Sequence, residues 1–369
     1  MLGALCTRAS QLRRNFPCKL GTSPLDSGTF HTIHTLRFND GVEWIARLST
    51  KSLTLSYIPT KEDMDRFRSE LATMRWLKKN TKVRLPDVYA WNVPIADRPT
   101  SHNGGAPNLQ SVAWVLMERL PGVALTYDLW DTLDDEPRQK ILMQIADMFL
   151  ELDRYPFDVL GSLQGQLSSS NEVTIEPRIY RYSFPPVRVS STDKLSLSPV
   201  YRDVIAQISN KEIADVITAL HDNLTATLQP YESETFFLTH PDLNPTNVII
   251  DPSTFEISGF IDWDCAHTVS SLESSIHPWF IQDRYYVKFT NEELARNLMD
   301  REYFTSCLRE IQKNMSAEPK ARMYIAEDFE RSTGLFLLGQ YLHDTVCTDI
   351  GAREKVHETL KSEVKSWLS

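Results

Sequence analysis

Cysteine is scarce in this chain: five in 369 residues, Cys6, Cys18, Cys265, Cys307 and Cys347, all widely spaced. None forms a Cys-x-x-Cys pair, which removes zinc ribbons and dithiol redox motifs. An odd, scattered set also makes a poor disulfide framework, so a reducing, cytoplasmic setting is expected. Glycine numbers only 13, and no Gly-x-Gly-x-x-Gly run occurs. Long apolar runs are missing too. The most apolar stretch, Ile141 to Leu152, is broken by Gln144, Asp147 and Glu151. Nothing therefore reaches the ~20 residues that span a bilayer, and no membrane partner is expected. Positive charge is outnumbered, with 39 Lys and Arg against 49 Asp and Glu and a formal charge of −10. Such a chain has no general pull toward phosphate backbones, so nucleic acid is not expected as a partner. No apolar block of 7–15 residues follows the early basic residues Arg8, Arg13, Arg14 and Lys19, so a secretory signal is not expected. Leu2, Leu5, Ala9 and Leu12 recur there at helical spacing, which predicts a docked amphipathic helix rather than a transit segment.

What the chain does have is core material: 8 Trp, 16 Phe and 13 Tyr within a 41% hydrophobic composition. Thr29 to Leu48 reads as a β-hairpin turning at Asn39-Asp40-Gly41. Thr60 with Asp63 has capping-box spacing and opens a helix that carries Met64, Phe67, Leu71, Met74 and Leu77 on one stripe, ending near Asn80. Asp87 to Trp91 and Ser111 to Leu120 read as strands around a Gly- and Pro-bearing loop. After Pro121-Gly122 helical periodicity dominates, over Glu136 to Leu152, Tyr201 to Leu228 and Asn291 onward. Short strands are expected at Phe236 to Thr239, Val248 to Ile250 and Phe255 to Ile261. Strands early and helices late give an α+β chain of two lobes, 1–120 and 121–369. Ser168 to Pro199, rich in Ser and Pro, reads as a long irregular insertion.

Two blocks carry chemistry: His240-Pro241-Asp242-Leu243-Asn244-Pro245-Thr246-Asn247, and Ile261-Asp262-Trp263-Asp264. Each lies against a strand, so its polar residues sit on loops at strand ends. Asp242 and Asn247 reach one small site from a tight loop, and Asp262 returns to it across a hairpin. Asn247 and Asp262 are hard oxygen donors of the kind Mg²⁺ takes when phosphate oxygens complete its octahedron. Asp242 is then free to accept a proton from an attacking hydroxyl, the division of labour in kinase phosphoryl transfer. Asp264 is either an accessory carboxylate near the metal or a solvated one. His240 reads as a hydrogen-bonded strut, and His267 and His277 as structural or surface residues. Trp279, Phe280, Tyr285 and Tyr286 line either an acceptor pocket or the core.

His240, Asp242 and Asn247 match His-x-Asp-x-x-x-x-Asn, and Ile261-Asp262-Trp263-Asp264 is similar to the metal block that follows it. Together they resemble the aminoglycoside phosphotransferase family, in particular its fungal, choline-kinase-like branch. Gly28-Thr29-Phe30-His31 and Met117-Glu118-Arg119-Leu120-Pro121-Gly122 are similar to that branch's phosphate loop and hinge. The resemblance implies a protein-kinase-like fold: an N-lobe antiparallel sheet with one helix, and a larger, mainly helical C-lobe. It implies ATP and Mg²⁺ as cofactors and a small-molecule hydroxyl acceptor as partner. Gly28, Thr29 and His31 would then cover the phosphates, Glu118 to Leu120 would face the adenine, and Arg47 would grip phosphates with Glu70 as its partner. Asn247 and Asp262 would hold the metal, and Asp242 would serve catalysis. Two departures stand out: the phosphate loop keeps only Gly28, and Arg47 stands where the family has lysine. They motivate an alternative, a pseudokinase-like scaffold without transfer activity. A metal-dependent phosphohydrolase built on His240 and Asp242 lacks further metal-binding histidines.

Overall fold

The computed structural model describes residues 1–27, 31–49, 60–94, 109–165, 173–176, 205–206, 211–228, 235–284, 287–314 and 325–332. The first helix, α1 (Leu2–Leu12), buries Leu5, Cys6 and Ala9, while Leu12 lies at its exposed end. β1 (Cys18–Ser27) has no clean alternation and carries Pro24; pairing with its neighbour, through two register shifts, is what makes it a strand. β2 (His31–Phe38) and β3 (Glu43–Ser49) form the expected hairpin, with Gly41 at φ +85° in its turn. α2 (Lys61–Asn80) opens with the predicted capping box: Asp63 N–H donates to Thr60 Oγ1 at 3.1 Å, and Thr60 N–H to Asp63 Oδ2 at 3.4 Å. Lys78 and Lys79 in its last turn suit the negative end of the helix dipole.

β4 (Val88–Asn92) and β5 (Trp114–Glu118) complete a five-stranded antiparallel sheet in the order β1-β2-β3-β5-β4. Strand alternation decides what each face of β3 meets. Trp44, Ala46 and Leu48 pack with Leu5, Ala9, Leu36 and Leu116 on the α1 side. Ile45 packs with Met64, Phe67, Leu71, Val115 and Met117 on the α2 side. Arg47, two residues on from Ile45, is thereby delivered to the α2 face. The sheet lies between two helices, α2 and the docked α1.

After Gly122 come β6 (Val123–Ala124), α3 (Tyr127–Thr132), α4 (Asp135–Asp153), β7 (Ser162–Gly165), β8 (Val173–Glu176) and α5 (Lys211–Leu228). They are followed by β9 (Phe237–Thr239), β10 (Val248–Ile250), β11 (Ile257–Phe260), β12 (His267–Val269), α6 (Ser271–Ser274), α7 (Asn291–Asn314) and α8 (Ile325–Arg331). β8 corrects the expectation of irregular chain at its position: it pairs antiparallel with β7, Leu163 opposite Ile175. Ile141, Ile145 and Phe149 of α4 pack against Phe304 and Leu308 of α7 and Phe329 of α8. A buried ion pair, Arg138 with Asp300, locks α4 to α7, and Arg138 Nη1 also donates to Trp130 O at 2.9 Å. Phe280 belongs to this core, edge-on to Trp130 at 4.7 Å, so it packs rather than lines a pocket. Tyr285 and Tyr286 lie outside the described residues. Met74 and Leu77 join the same core, so α2 ties the sheet to the helical part. Among the described residues no helix is long and apolar enough to cross a membrane.

Candidate active site

The loop between β9 and β10 is built to hold Asp242 and Asn247 together. Pro245 starts a 3-10 turn, Pro245–Asn247, capped by Asn244 Oδ1, which accepts from Thr246 N–H at 3.0 Å. Asn247 Nδ2 donates to Asp242 O at 2.8 Å and lies 3.5 Å from Asp242 Oδ2. Asn244 Nδ2 donates to Asp242 Oδ1 at 2.9 Å, so the carboxylate is aimed from both sides. Because the amide nitrogen of Asn247 is spent inside the loop, Oδ1 is the atom it offers to a cation.

His240 joins this loop to the second block. Its Nδ1 accepts from Asp242 N–H at 3.2 Å and its Nε2 lies 2.9 Å from Ile261 O. A carbonyl only accepts, so Nε2 carries the proton and the ring is neutral in that tautomer. The ring also meets Trp263 edge-on at 4.7 Å. His240 is a strut, as its position in the motif predicts. Ile261 N–H donates to Asn247 O at 3.0 Å, which brings Asp262 beside Asn247 across the β10–β11 hairpin. Asp262 itself sits at φ +62°, a left-handed conformation uncommon outside glycine.

Arg47 and Glu70 meet as expected. Arg47 Nη2 pairs with Glu70 Oε2, and Arg47 Nη1 lies 3.5 Å from Asp262 Oδ1. Burial pushes the Glu70 carboxyl up, to about 7; Arg47 opposes that rise, and Asp264 and Asp262 add to it. Burial also works against the charge on Arg47, but Glu70, Asp262 and Asp264 more than offset it and leave its pKa raised. Arg47 Nε and Glu70 Oε1 are buried with no hydrogen-bond partner among the described residues. Buried polar atoms left so are uncommon, and here both belong to one ion pair beside Asp262.

Gly28 and Thr29 lie outside the described residues; His31 opens β2 with its ring 6.1 Å from that of Phe67. Glu118 ends β5; its Oε2 accepts from Asp87 N–H at 3.1 Å and its own N–H donates to Asp87 O at 2.8 Å, so both side chain and amide brace the neighbouring chain. Leu120 lies over β11: a Cβ added to Gly259 would stand 2.7 Å from Leu120 Cδ1 and 3.0 Å from Arg84 O. Gly122, at φ +105°, presses on β10, where an added Cβ would meet Ile250 O at 2.1 Å.

Two neighbours of these residues escape the sequence reading. Arg66 on α2 takes Asp264: Nε donates to both carboxylate oxygens at 2.7 Å. Burial pushes the Asp264 carboxyl up, yet the Arg66 hydrogen bond and charge hold it below the usual range. Asp264 is thus buried rather than solvated, paired with Arg66 while its charge still acts on Arg47 and Glu70. Arg84 is the other: its carbonyl accepts from Phe260 N–H at 2.9 Å and its guanidinium reaches Ile257 O. No local pattern announces either, since their partners lie 198 and 173 residues away.

A family model described as "Phosphotransferase enzyme family" matches residues 34–268. A subtelomeric hrmA-associated cluster protein of Aspergillus fumigatus is 23% identical over 323 residues, 69% of this chain. The chain spans 59% of that relative's length. Among solved structures, a gentamicin complex of the aminoglycoside phosphotransferase APH(2'')-IIa is similar at TM-score 0.55 and 15% identity, over 97% of this chain and 95% of that one. A thermostable mutant of APH(4)-Ia, in ternary complex with AMP-PNP and hygromycin B, is similar at TM-score 0.52 and 14% identity, over 94% of each chain. At such identities the likeness is one of fold: the two-lobed, protein-kinase-like α+β architecture.

Proposed function

Since the chain belongs to the phosphotransferase enzyme family, we propose that it transfers the γ-phosphoryl group of ATP to a hydroxyl of a small-molecule acceptor. The observation that carries this reading is the joining of Asp242, Asn247 and Asp262 through His240 and the Ile261–Asn247 hydrogen bond, with Arg47 beside them. In this reading ATP lies between the sheet and the helical part, which divide near Leu120. The adenine rests on the main chain of Glu118 to Leu120, above Gly259. Gly28, Thr29 and His31 cover the phosphates, and Arg47, braced by Glu70, donates to them.

The donor set fits a magnesium–phosphate ligand. Asn247 Oδ1 and Asp262 are hard oxygens, too few to form a closed cage, as suits an ion that keeps phosphate oxygens and waters. Bound there, Mg²⁺ would neutralise charge on the β- and γ-phosphates. Asp242, aimed by Asn244 and Asn247, orients the acceptor hydroxyl and takes its proton. The chain's own contribution is positioning and charge placement rather than covalent chemistry.

One related fold holds gentamicin and another holds hygromycin B together with AMP-PNP, which supports a small hydroxylated acceptor as the class. The likeness to a subtelomeric cluster protein of Aspergillus fumigatus fits the fungal branch, and a role in fungal secondary metabolism belongs to the same proposal. A cytoplasmic setting belongs to the same reading; among the described residues Cys6, Cys18, Cys265 and Cys307 are not joined in disulfides, which fits it. The rival, a nucleotide-binding scaffold, draws on Arg47 standing in for lysine. Incubation with Mg-ATP and a library of hydroxylated acceptors, followed by mass spectrometry, separates the two. A product heavier by one phosphoryl group supports the kinase; nucleotide binding without any such product supports the scaffold.

A further inference from the structure

Asp262 and Asp264 stand two residues apart yet are treated differently. The Asp262 side chain is 24% exposed and that of Asp264 is 3% exposed. Arg66 donates to both oxygens of Asp264, through Nε at 2.7 Å to each and through Nη2 to Oδ2. Cys265 Sγ adds a contact to Oδ1 at 3.5 Å. The planar guanidinium fork therefore engages both oxygens of this carboxylate, a geometry an ammonium point charge does not reproduce.

The turn that Asp264 anchors is strained. Asp262 and Cys265 both adopt left-handed backbone, at φ +62° and +59°. Such residues are costly and persist only where their surroundings over-determine them. At the front of the turn, Ile261 is held by His240 and Asn247. In the middle, Trp263 is buried and Ala266 N–H donates to Trp263 O at 3.1 Å. At the back stands Asp264, buried and charged, which would be driven to move or neutralise without its cation. α2 thus reaches the turn by two routes from residues four apart. Arg66 takes Asp264 directly, and Glu70 reaches Asp262 through Arg47.

We propose that Arg66 is a positioning residue: by clamping Asp264 it fixes the turn that presents Asp262 to a divalent cation, touching neither cation nor nucleotide itself. This rests on the reading of Asn247 and Asp262 as the seat of magnesium–nucleotide. Groups that orient metal ligands from behind are typically worth 10- to 100-fold in metal affinity. The expected signature is therefore a metal defect, not a general loss of binding.

The test is calorimetric titration of the full chain with ATP over a series of MgCl₂ concentrations and in EDTA. For Arg66→Met, the Mg²⁺ concentration that half-restores ATP affinity should rise about 10- to 100-fold. Affinity for ATP in EDTA should stay within about twofold. Asp264→Asn should show the same signature, and the double variant should add little, since both act through one contact. If Arg66→Met does not fold, Arg66→Lys, which keeps the charge and loses the fork, should still raise the Mg²⁺ requirement. An unchanged Mg²⁺ requirement in the folded variants, or an equal loss of affinity with and without Mg²⁺, overturns the proposal. Wild-type protein whose ATP binding ignores Mg²⁺ overturns the reading of the site, and the proposal with it.

Discussion

One guanidinium serves two carboxylates: Arg47 Nη2 pairs with Glu70 Oε2 while Nη1 lies 3.5 Å from Asp262 Oδ1. A lysine ammonium at the same place would be a point charge on one stem, whereas the fork spans an acid from α2 and an acid from the 262–264 turn. Arginine at this position thus bridges both carboxylates at once. It gives the turn a cationic neighbour that carries charge at every physiological pH.

Arg47→Ala and Glu70→Ala should each lower kcat/KM for ATP by at least about tenfold, with the double variant little worse than either single one. Groups that act as one unit lose their effects together. Removing one partner of a buried pair also strands the other, so each single variant should lose stability, on the scale of about 3–5 kcal/mol. Kinetics and urea unfolding on the three variants check both points. Fully additive losses would mean that the two side chains act separately.

Gly122→Ala should be more costly than Gly41→Ala, although both glycines have positive φ. At Gly41, φ +85°, an added Cβ meets nothing within 4 Å, so only backbone strain is paid. At Gly122 the same atom stands 2.1 Å from Ile250 O, a main-chain atom that cannot rotate aside. Backbone strain alone is worth on the order of 1–3 kcal/mol, and the clash adds to it at Gly122. Thermal unfolding of the two variants, side by side, should show the larger fall in Tm for Gly122→Ala. Equal falls would contradict the close approach of hinge and β10.

His277 should make stability depend on acid. Burial, with Arg301 adding to it, depresses its pKa to about 3 from an ordinary 6.5. The neutral ring packs against Phe329 at 4.9 Å and Phe304 at 5.7 Å. Below pH 6.5 the unfolded chain takes up a proton that the folded protein refuses until about pH 3. The contribution is thus fully present above 6.5 and is lost as pH falls through that window, by up to about 1.4 kcal/mol per pH unit. Urea midpoints between pH 6.5 and 4 should fall less steeply in His277→Gln than in wild type. Parallel slopes would mean that the folded protein accommodates the charged ring.

The parts of the fold that were legible carried local signals. The capping box at Thr60 and Asp63 marks the start of α2, and the stripe from Met64 to Leu77 marks its buried face. The Asn39-Asp40-Gly41 turn fixes the β2–β3 hairpin, and with it the register that delivers Arg47 to α2. Asp242 and Asn247 were readable because one short loop carries both. β1 was not, since its strand character comes from pairing with β2 across two register shifts rather than from alternation. β8 hid in a Ser- and Pro-rich stretch for the same reason, deriving its form from β7. The fate of Asp264 could not be read from its neighbours, because the residue that decides it, Arg66, belongs to a helix 198 residues earlier. Phe280 was ambiguous by type, and only its edge contact with Trp130 assigns it to the core.

The central claim is that Asp242 acts on the acceptor while Asn247 and Asp262 act on the metal–nucleotide. Asp242→Asn separates the two, keeping the size and reach of the side chain and removing its charge and basicity. The direct measurement is single-turnover phosphoryl transfer to an identified acceptor, beside Mg-ATP affinity by titration. The variant should bind Mg-ATP within a few-fold of wild type and transfer the phosphoryl group slower by a factor of about 10² or more, the scale of general-base catalysis. Equal transfer rates in variant and wild type would remove Asp242 from the chemistry and contradict the account.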